Sequence, residues 1–325
     1  MPVINTKKRE MDRMDDLGII SQVAHMYYNL NMLQPEIAKR LYFSRPKICR
    51  MLKKARELGV VEIKVKRYLD RMPSLEQKMQ SVFGIKEAVV LTNGEADAEE
   101  TMEGLTNYAA LLVVDLLRDG CTIGITGGET VRRTVRKLPK AACANIHVVQ
   151  VIGASANQYI PGEARELVNH ISTLQSGNGH YLNMPLYIDD LYAKEILLKD
   201  PTVRDVFNYM KDLDIVLTGI GSFDTGGVMP TWFGYMTQKH REELERLGAA
   251  GSICAQYFDK DGAILDCEWN RKCVAISMED LKRTKLTVAV ATGESKINSI
   301  LGALRGHYVD ILITDANTAS RVICR

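Results

Sequence analysis

Near the start of the chain, hydrophobic residues recur at intervals of three and four, the spacing that gives a helix one buried stripe. Ile19–Tyr28 and Gln34–Leu41 both follow this pattern. A third segment begins after Ser44, has Pro46 in its first turn and ends at Gly59, residues that suit helix starts and ends. The sequence therefore predicts three short helices, with a tight turn between the second and the third.

Short helices joined by such a turn are typical of a helix-turn-helix, whose last helix enters the DNA major groove. Arginine can hold guanine through two hydrogen bonds, and lysine suits phosphate. We expect base or near-base contacts from Arg45, Lys47 and Arg50, and further DNA contacts, mainly with phosphate, from Gln34, Ser44, Lys53 and Lys54. Val60–Val65 alternates like a strand and predicts a small wing. The alternative is a solvated basic helix in a small bundle.

Beyond a predicted linker at Tyr68–Met72, the pattern changes to helical segments that alternate with nearly continuous apolar runs. Such runs are typical of parallel strands buried on both faces of an α/β sheet. The predicted strands are Glu87–Leu91, Cys121–Ile125, Ile146–Ile152, Ile215–Ile220, Leu286–Ala291 and Val309–Thr314, with helices at Pro73–Phe83, Ala98–Leu117 and Glu129–Lys137. Ile253–Phe258 predicts a hairpin with its turn at Asp261-Gly262.

Charge separates the two parts of this chain, which at 325 residues exceeds one average domain. Residues 1–69 hold 15 Lys or Arg against 7 Asp or Glu, a net charge of +8, which leaves −6 for the other residues because the whole chain is +2. A basic part beside an acidic one suits a protein of which only one part meets phosphate. We predict an α/β protein with a winged helix-turn-helix DNA-binding domain at 1–67 and a larger α/β domain at 73–325.

Several classes of protein receive no support from the sequence. The seven cysteines include no close C-x-x-C pair, so we expect reduced thiols and neither disulfides nor zinc. No apolar run approaches the ~20 residues of a membrane span, and we expect a cytoplasmic protein. The six histidines adjoin no nucleophile motif, and Asp189-Asp190 fits a helix cap better than a metal site. Catalysis is not indicated, and we expect no cofactor or metal.

Glycines follow several predicted strands, and ligands of open parallel sheets lie at the carboxyl ends of strands. The loops are Ile123–Thr130, Thr218–Ser222 and Ala291–Lys296. In the first, N–H groups converge on a helix start in a way that suits phosphate or polar oxygens, unless the glycines serve chain geometry alone. Glu129 would repel phosphate but could accept from sugar hydroxyls, which leaves the ligand open. Lys296 lies in the first turn of its predicted helix, where the helix dipole disfavours a positive charge. A nearby anion or carbonyl would account for a lysine there, and so would exposure to solvent.

Taken together, these residues resemble the SorC/DeoR-type bacterial transcriptional regulators over nearly the whole chain after residue 17. The matching motifs include Gln34–Leu41, Ser44–Leu52, Thr126–Thr130, Val149–Gly153, Gly219–Ser222, Tyr257–Gly262, Gly293–Lys296 and Leu312–Asp315. The resemblance implies a helix-turn-helix joined to an effector domain similar to the sugar-phosphate isomerase fold, used for sensing. It also implies homodimers or tetramers on palindromic double-stranded DNA operators, with sugars, polyols or sugar phosphates as effectors.

The resemblance further implies a set of effector contacts. These are Thr126, Gly127, Gly128, Glu129, Thr130, Gly153, Ala154, Gly219, Ile220, Gly221, Ser252 and Lys296. Two positions depart from the family pattern. Ser252 replaces a frequent acid, and Ile152 replaces a lysine that captures an aldehyde in one branch, so we expect no Schiff base there.

The sequence therefore predicts a DNA-binding transcriptional regulator of a carbohydrate utilisation operon, controlled by a sugar, polyol or sugar-phosphate effector. The alternative is a sugar-phosphate isomerase-like enzyme with a nucleic-acid-binding module. A turnover assay across pentose and hexose phosphates separates the two.

Overall fold

The computed structural model describes residues 17–61, 69–94, 96–155, 162–223 and 235–325. The chain divides into two compact units, residues 1–66 and 67–325. Most of the predicted wing at Val60–Val65 lies outside the described residues. Within those ranges, none of the helices has both the length and the apolar character needed to cross a bilayer.

The smaller unit contains the three predicted helices. They are α1 (residues 17–24, continued by a π-helical turn at His25–Asn29), α2 (Gln34–Arg40) and α3 (Arg45–Glu57). Their apolar stripes meet in a core that includes Val23, Met26, Ile37, Ile48 and Leu52. Ser44 occupies the cap position of α3, where the sequence predicts the helix start, but its side chain makes no capping hydrogen bond.

In the larger unit, strands alternate with helices. Its strands are β1 (Glu87–Leu91), β2 (Thr122–Ile125), β3 (His147–Gln150), β4 (Asn178–His180), β5 (Ile215–Gly219), β6 (Gly221–Ser222), β7 (Ala249–Ile253), β8 (Gln256–Asp259), β9 (Leu286–Val290) and β10 (Ile311–Asp315). Its helices are α4 (Pro73–Phe83), α5 (Ala98–Leu116), α6 (Glu129–Val135), α7 (Ala164–Leu174), α8 (Leu191–Leu198), α9 (Pro201–Met210), α10 (Gln238–Arg246), α11 (Glu268–Lys272), α12 (Met278–Arg283), α13 (Ile297–Arg305) and α14 (Ala316–Ile323).

Among the described residues, seven strands form a parallel sheet in the order β1-β10-β9-β5-β2-β3-β4. Apolar clusters cover both of its faces, as the continuous apolar runs predict. All six predicted strands are present. The sequence did not predict β4, because Asn178-Gly179-His180 at the sheet edge contains no apolar run. Chain order reverses between β2 and β5, which is where open α/β sheets form a ligand crevice.

The strands β6, β7 and β8 form a small antiparallel sheet. The predicted turn at Asp261-Gly262 is present, because beyond it Phe258 and Ile264 form an antiparallel bridge and Asp259 N donates to the Ala263 carbonyl over 3.0 Å. A turn that was not predicted joins β7 to β8 at Cys254-Ala255. Both residues have positive φ values, 47° and 66°, as a two-residue turn that matches strand twist requires. Because neither is a glycine or asparagine, no sequence signal indicated a turn there. Both residues are buried, so their packing can offset the backbone cost.

A second turn, at Gly262, supports α13, the helix that begins directly after Lys296. Gly262 has a φ of 84°, and a Cβ added there would lie 2.2 Å from the backbone nitrogen of Gly306. The Tyr308 hydroxyl donates a 2.6 Å hydrogen bond to the Gly262 carbonyl. This position therefore excludes a side chain for two reasons, its backbone conformation and its lack of space.

Alanine substitution at two glycines separates the cost of the backbone conformation from the cost of the missing space. Gly248 has a similar φ of 75°, but no atom of the described residues lies within 4 Å of an added Cβ. We expect Gly248→Ala to cost about 1 kcal/mol for the left-handed backbone alone. Gly262→Ala should cost roughly 1–3 kcal/mol more because the helix must shift.

Urea unfolding followed by tryptophan fluorescence measures the difference, since both tryptophans, Trp232 and Trp269, belong to the larger unit. Equal losses of stability in the two variants would contradict the steric argument.

Candidate functional site

The exposed face of α3 is the candidate DNA surface. Ile48, Leu52 and Ala55 are buried, so the helix turns its basic side outward. All but one of the predicted DNA-contacting residues are exposed: Ser44, Arg45, Lys47, Arg50, Lys53 and Lys54. Gln34, at the start of α2, is half-buried. The geometry therefore leaves the predicted base readers accessible.

Several of these cations make contacts within the unit. Lys47 Nζ lies 3.8 Å from the centre of the Phe43 ring. Arg50 Nε donates to the Pro46 carbonyl over 3.5 Å, and Lys53 Nζ lies 3.8 Å from a carboxylate oxygen of Glu57. Exposed contacts of this kind contribute little stability, so DNA can replace them at small cost.

In the larger unit, the predicted effector residues lie at the carboxyl ends of β3, β2, β5 and β9 and on the adjoining β7. After β2, Thr126 N donates to the Leu217 carbonyl over 3.3 Å, and the Thr126 and Thr218 hydroxyls lie 3.3 Å apart. Gly128 N donates to the Gly162 carbonyl over 2.9 Å. The prediction that bare N–H groups converge here is therefore partly wrong, because two of the loop amides already hold the loop to neighbouring backbone.

Glu129, the first residue of α6, forms ion pairs with two arginines. Its carboxylate accepts hydrogen bonds from Arg132 at 2.6 and 2.7 Å and from Arg133 at 2.7 Å. Hydrogen bonds from Arg132, with a smaller contribution from Arg133, lower the pKa of Glu129 although partial burial opposes the shift. Arg133 also pairs with Glu99. The negative charge of Glu129 is thus balanced locally.

Lys296, which precedes α13, points its ammonium at the loop after β5. Its Nζ donates a 2.5 Å hydrogen bond to the Ile220 carbonyl, and burial lowers the pKa of Lys296 to about 8. Within the described ranges, no carboxylate forms an ion pair with this ammonium. The structure therefore places a partly buried cation beside a carbonyl, which is one of the alternatives that the sequence left open.

The other predicted effector residues surround these loops. At Gly219, the nearest described atom to an added Cβ is 4.0 Å away. Gly221 pairs with the buried Ser252 across β6 and β7. The amides of Gly153 and Ala154 donate to Val274 and Met184, and Thr130 is half-buried. Only Gly219 in this group leaves obvious room for a ligand.

Sequence reasoning missed two features of this edge of the sheet. A cavity of about 760 Å³ lies at the ends of β1, β9 and β10, with Asp315 in its wall. Burial would raise the pKa of Asp315, but hydrogen bonds from Thr292 and Thr318 outweigh burial and lower it. Gln150, at the end of β3, is fully buried, and its Oε1 accepts no hydrogen bond in the described structure. Gln150 and Asp315 belong to motifs shared with the family, Val149–Gly153 and Leu312–Asp315, but their burial and partners depend on the tertiary fold.

Comparison with known proteins gives matches over nearly the whole chain. The family model described as "Putative sugar-binding domain" matches residues 68–324. The sorbitol operon regulator of Klebsiella pneumoniae is 30% identical over 323 residues, which cover 96% of this chain and 100% of the relative. The deoxyribonucleoside regulator of Bacillus subtilis (strain 168) is 26% identical over 302 residues, with coverages of 93% and 96%. The crystal structure of full-length SorC from K. pneumoniae matches with a TM-score of 0.73 and 29% identity, covering 95% of this chain and 99% of that one.

The buried ammonium of Lys296 predicts a pH-dependent effect on stability. Below pH 8 the folded and unfolded states both bind the proton, so folding carries the full cost of burying the charge. As pH rises from 8 towards the unfolded pKa of ~10.4, only the unfolded state keeps the proton and this cost disappears. We expect Lys296→Met to stabilise the larger unit by roughly 1–3 kcal/mol at pH 7, less the cost of an unpaired carbonyl, and to lose that advantage by about pH 10.

Urea unfolding of the variant and the wild type at both pH values measures this effect. A stabilisation that does not change between pH 7 and pH 10 would show that burial of the charge is not its cause.

Proposed function

The chain belongs to the SorC family of bacterial transcriptional regulators, and we propose that it controls a carbohydrate utilisation operon in the cytoplasm through an effector that carries an anionic group. The proposal of an anionic effector rests on the ammonium of Lys296. Burial destabilises its charge, and among the described residues it contacts the Ile220 carbonyl and no carboxylate. A buried cation is costly unless an opposite charge pairs with it. A phosphate or acid group of a sugar derivative supplies that charge.

The ion pairs of Glu129 with arginine mean that its carboxylate would not repel an anionic effector. A free carboxylate beside the loop after β2 would repel phosphate, but Arg132 and Arg133 compensate the charge of Glu129. The same pairing argues against an isomerase, because a general base works best with a pKa near the operating pH. Arginine lowers the pKa of Glu129 instead. We therefore propose a sensor that does not convert its ligand.

We also propose that the regulator is a homo-oligomer that pairs through α8. No residue of this helix is buried, and Tyr192, Ile196 and Leu197 are 72%, 49% and 41% exposed. A helix with apolar residues on several faces is expected to be covered. Beside it lies a groove whose charged residues have both signs: Lys239, Arg246, Arg271 and Lys272 with Glu242, Glu243 and Glu268. A second copy related by a two-fold axis can set opposite charges of this groove against each other.

The oligomer interface is tested by a charge placed on α8. We expect Ile196→Glu to lower the molar mass measured by light scattering, because burying the new carboxylate in the interface is unfavourable. Leu111→Glu, at a 59% exposed position of α5, is the matched control and should keep the wild-type mass. An unchanged mass for Ile196→Glu would refute α8 as the contact.

The effector proposal is tested by thermal stabilisation of the full chain with matched pairs of free and phosphorylated pentoses, hexoses and polyols. A ligand at one hundred times its dissociation constant adds about 2.7 kcal/mol. We expect stabilisation by a phosphorylated compound and none by its free sugar. Stabilisation by free sugars alone would contradict the anionic class.

A second variant locates the effector. Gly219→Ala adds a methyl group where no described atom lies closer than 4.0 Å, so the unliganded protein should keep its stability. We expect the methyl group to weaken binding of the stabilising compound at least tenfold, measured by calorimetry. Wild-type affinity in the Gly219→Ala variant would show that the compound does not bind at the end of β5.

Arg50 is the proposed base reader with the clearest test. Among the described residues, its guanidinium makes a long contact with the Pro46 carbonyl, so we propose that it is available to guanine. Arg50→Ala should weaken binding to a selected operator by about 1–3 kcal/mol and weaken binding to unrelated duplex much less, measured by fluorescence anisotropy at fixed salt. Equal losses on both duplexes would identify Arg50 as a phosphate contact instead.

A further inference from the structure

The turn between α2 and α3 contains a residue whose conformation does not suit its type. Tyr42 has a φ of 55°, in the left-handed region. A side chain is unfavourable in that region because its Cβ approaches the following carbonyl oxygen. At two other helix ends, where φ is 69° and 68°, this chain has glycine, at Gly59 and Gly84, and at two more it has the smaller Ser176 and the polar His307, with φ values of 53° and 55°. The backbone at position 42 therefore favours glycine, and the sequence supplies a large aromatic residue.

Packing in the smaller unit does not account for this choice. The Tyr42 side chain is 95% exposed, far more than the other exposed large apolar side chains of the described residues. The next residue, Phe43, is the one that packs against the three-helix core, and its ring also carries the ammonium of Lys47. Tyr42 thus has an unfavourable backbone conformation and almost no burial to offset it.

The position of Tyr42 suggests what it contacts. It lies two residues before Ser44, at the end of α3 that enters the major groove in a helix-turn-helix. Arg45 and Lys47, both exposed, follow on the same corner. Tyrosine hydroxyls are among the groups that bind DNA phosphates and fix the register of a protein on the duplex. A residue kept in an unfavourable conformation is a sign of such a functional contact.

We infer that Tyr42 contacts the DNA backbone, with its hydroxyl donating a hydrogen bond to a phosphate oxygen beside the groove that α3 enters. The inference rests on the proposed DNA-binding function and adds a residue to it. A phosphate contact does not depend on base sequence, so Tyr42 contributes equally to operator and to unrelated DNA. Because the phenol is neutral, the contact releases no counterion, unlike a lysine or arginine contact.

The test uses the full chain, a random-sequence 30-base-pair duplex and a duplex selected from a randomised pool by the wild-type protein. Tyr42→Gly should weaken binding to both duplexes by a similar factor, roughly 5- to 10-fold. The slope of log affinity against log salt should stay at its wild-type value. Lys53→Ala is the matched control, for which the slope should fall by about one. Tyr42→Phe should lose as much affinity as Tyr42→Gly.

The thermal stability of the Tyr42→Gly variant should change in the opposite direction to its DNA affinity, or not at all. Because glycine relieves the backbone conformation, the Tyr42→Gly variant should melt at the same temperature as the wild type or higher, measured by circular dichroism. Weaker DNA binding by a protein that is no less stable excludes misfolding as the cause.

Two results would overturn the inference while DNA binding itself stands: wild-type affinity in Tyr42→Gly, or wild-type affinity in Tyr42→Phe, which would exclude the hydroxyl. A wild-type chain that binds neither duplex would overturn the DNA-binding function and the inference with it.

Discussion

Parallel pairing of β2 with β5 is the constraint on which the binding edge depends. The two strands are in register from Ile123 with Ile215 to Ile125 with Leu217. Because all strands of the sheet run in one direction, the loops that follow β2, β5 and β9 emerge together. Residues as distant in sequence as Thr126, Gly219 and Lys296 therefore become neighbours. The reversal of chain order between β2 and β5 opens the sheet at this point, where α/β proteins bind ligands.

Charge at this edge is arranged in two different ways. Glu129 is paired with arginines three and four residues along the same helix, so its charge is satisfied without a ligand. In the described structure, the ammonium of Lys296 contacts only the dipole of a carbonyl, so burying its charge lowers the stability of the fold. Binding of an anion lowers that cost, and the free energy released can favour one arrangement of the protein over another. An effector acts on DNA binding only through such a difference between arrangements.

Much of the fold could be predicted because its patterns are local. The three- and four-residue spacing in Ile19–Tyr28 predicts a helix, and the apolar run Leu286–Ala291 predicts a buried strand. β4 and the turn at Cys254-Ala255 could not be predicted, because tertiary contacts hold polar or otherwise unsuited residues there. In the site, the spacing of Glu129 from Arg132 and Arg133 was a usable signal for pairing. The partner of Lys296 lies 76 residues away at Ile220, and only the fold could reveal it.

The central claim is that an anionic sugar derivative bound at the strand ends changes the affinity of α3 for DNA. The most direct measurement is operator binding by fluorescence anisotropy across a titration of the stabilising compound, paired with calorimetry of that compound in the presence and absence of operator. Linkage requires both affinities to change by the same factor, and coupling of this kind is typically about 5- to 150-fold. We expect that equality. A compound that binds tightly yet leaves the operator affinity unchanged would contradict the account.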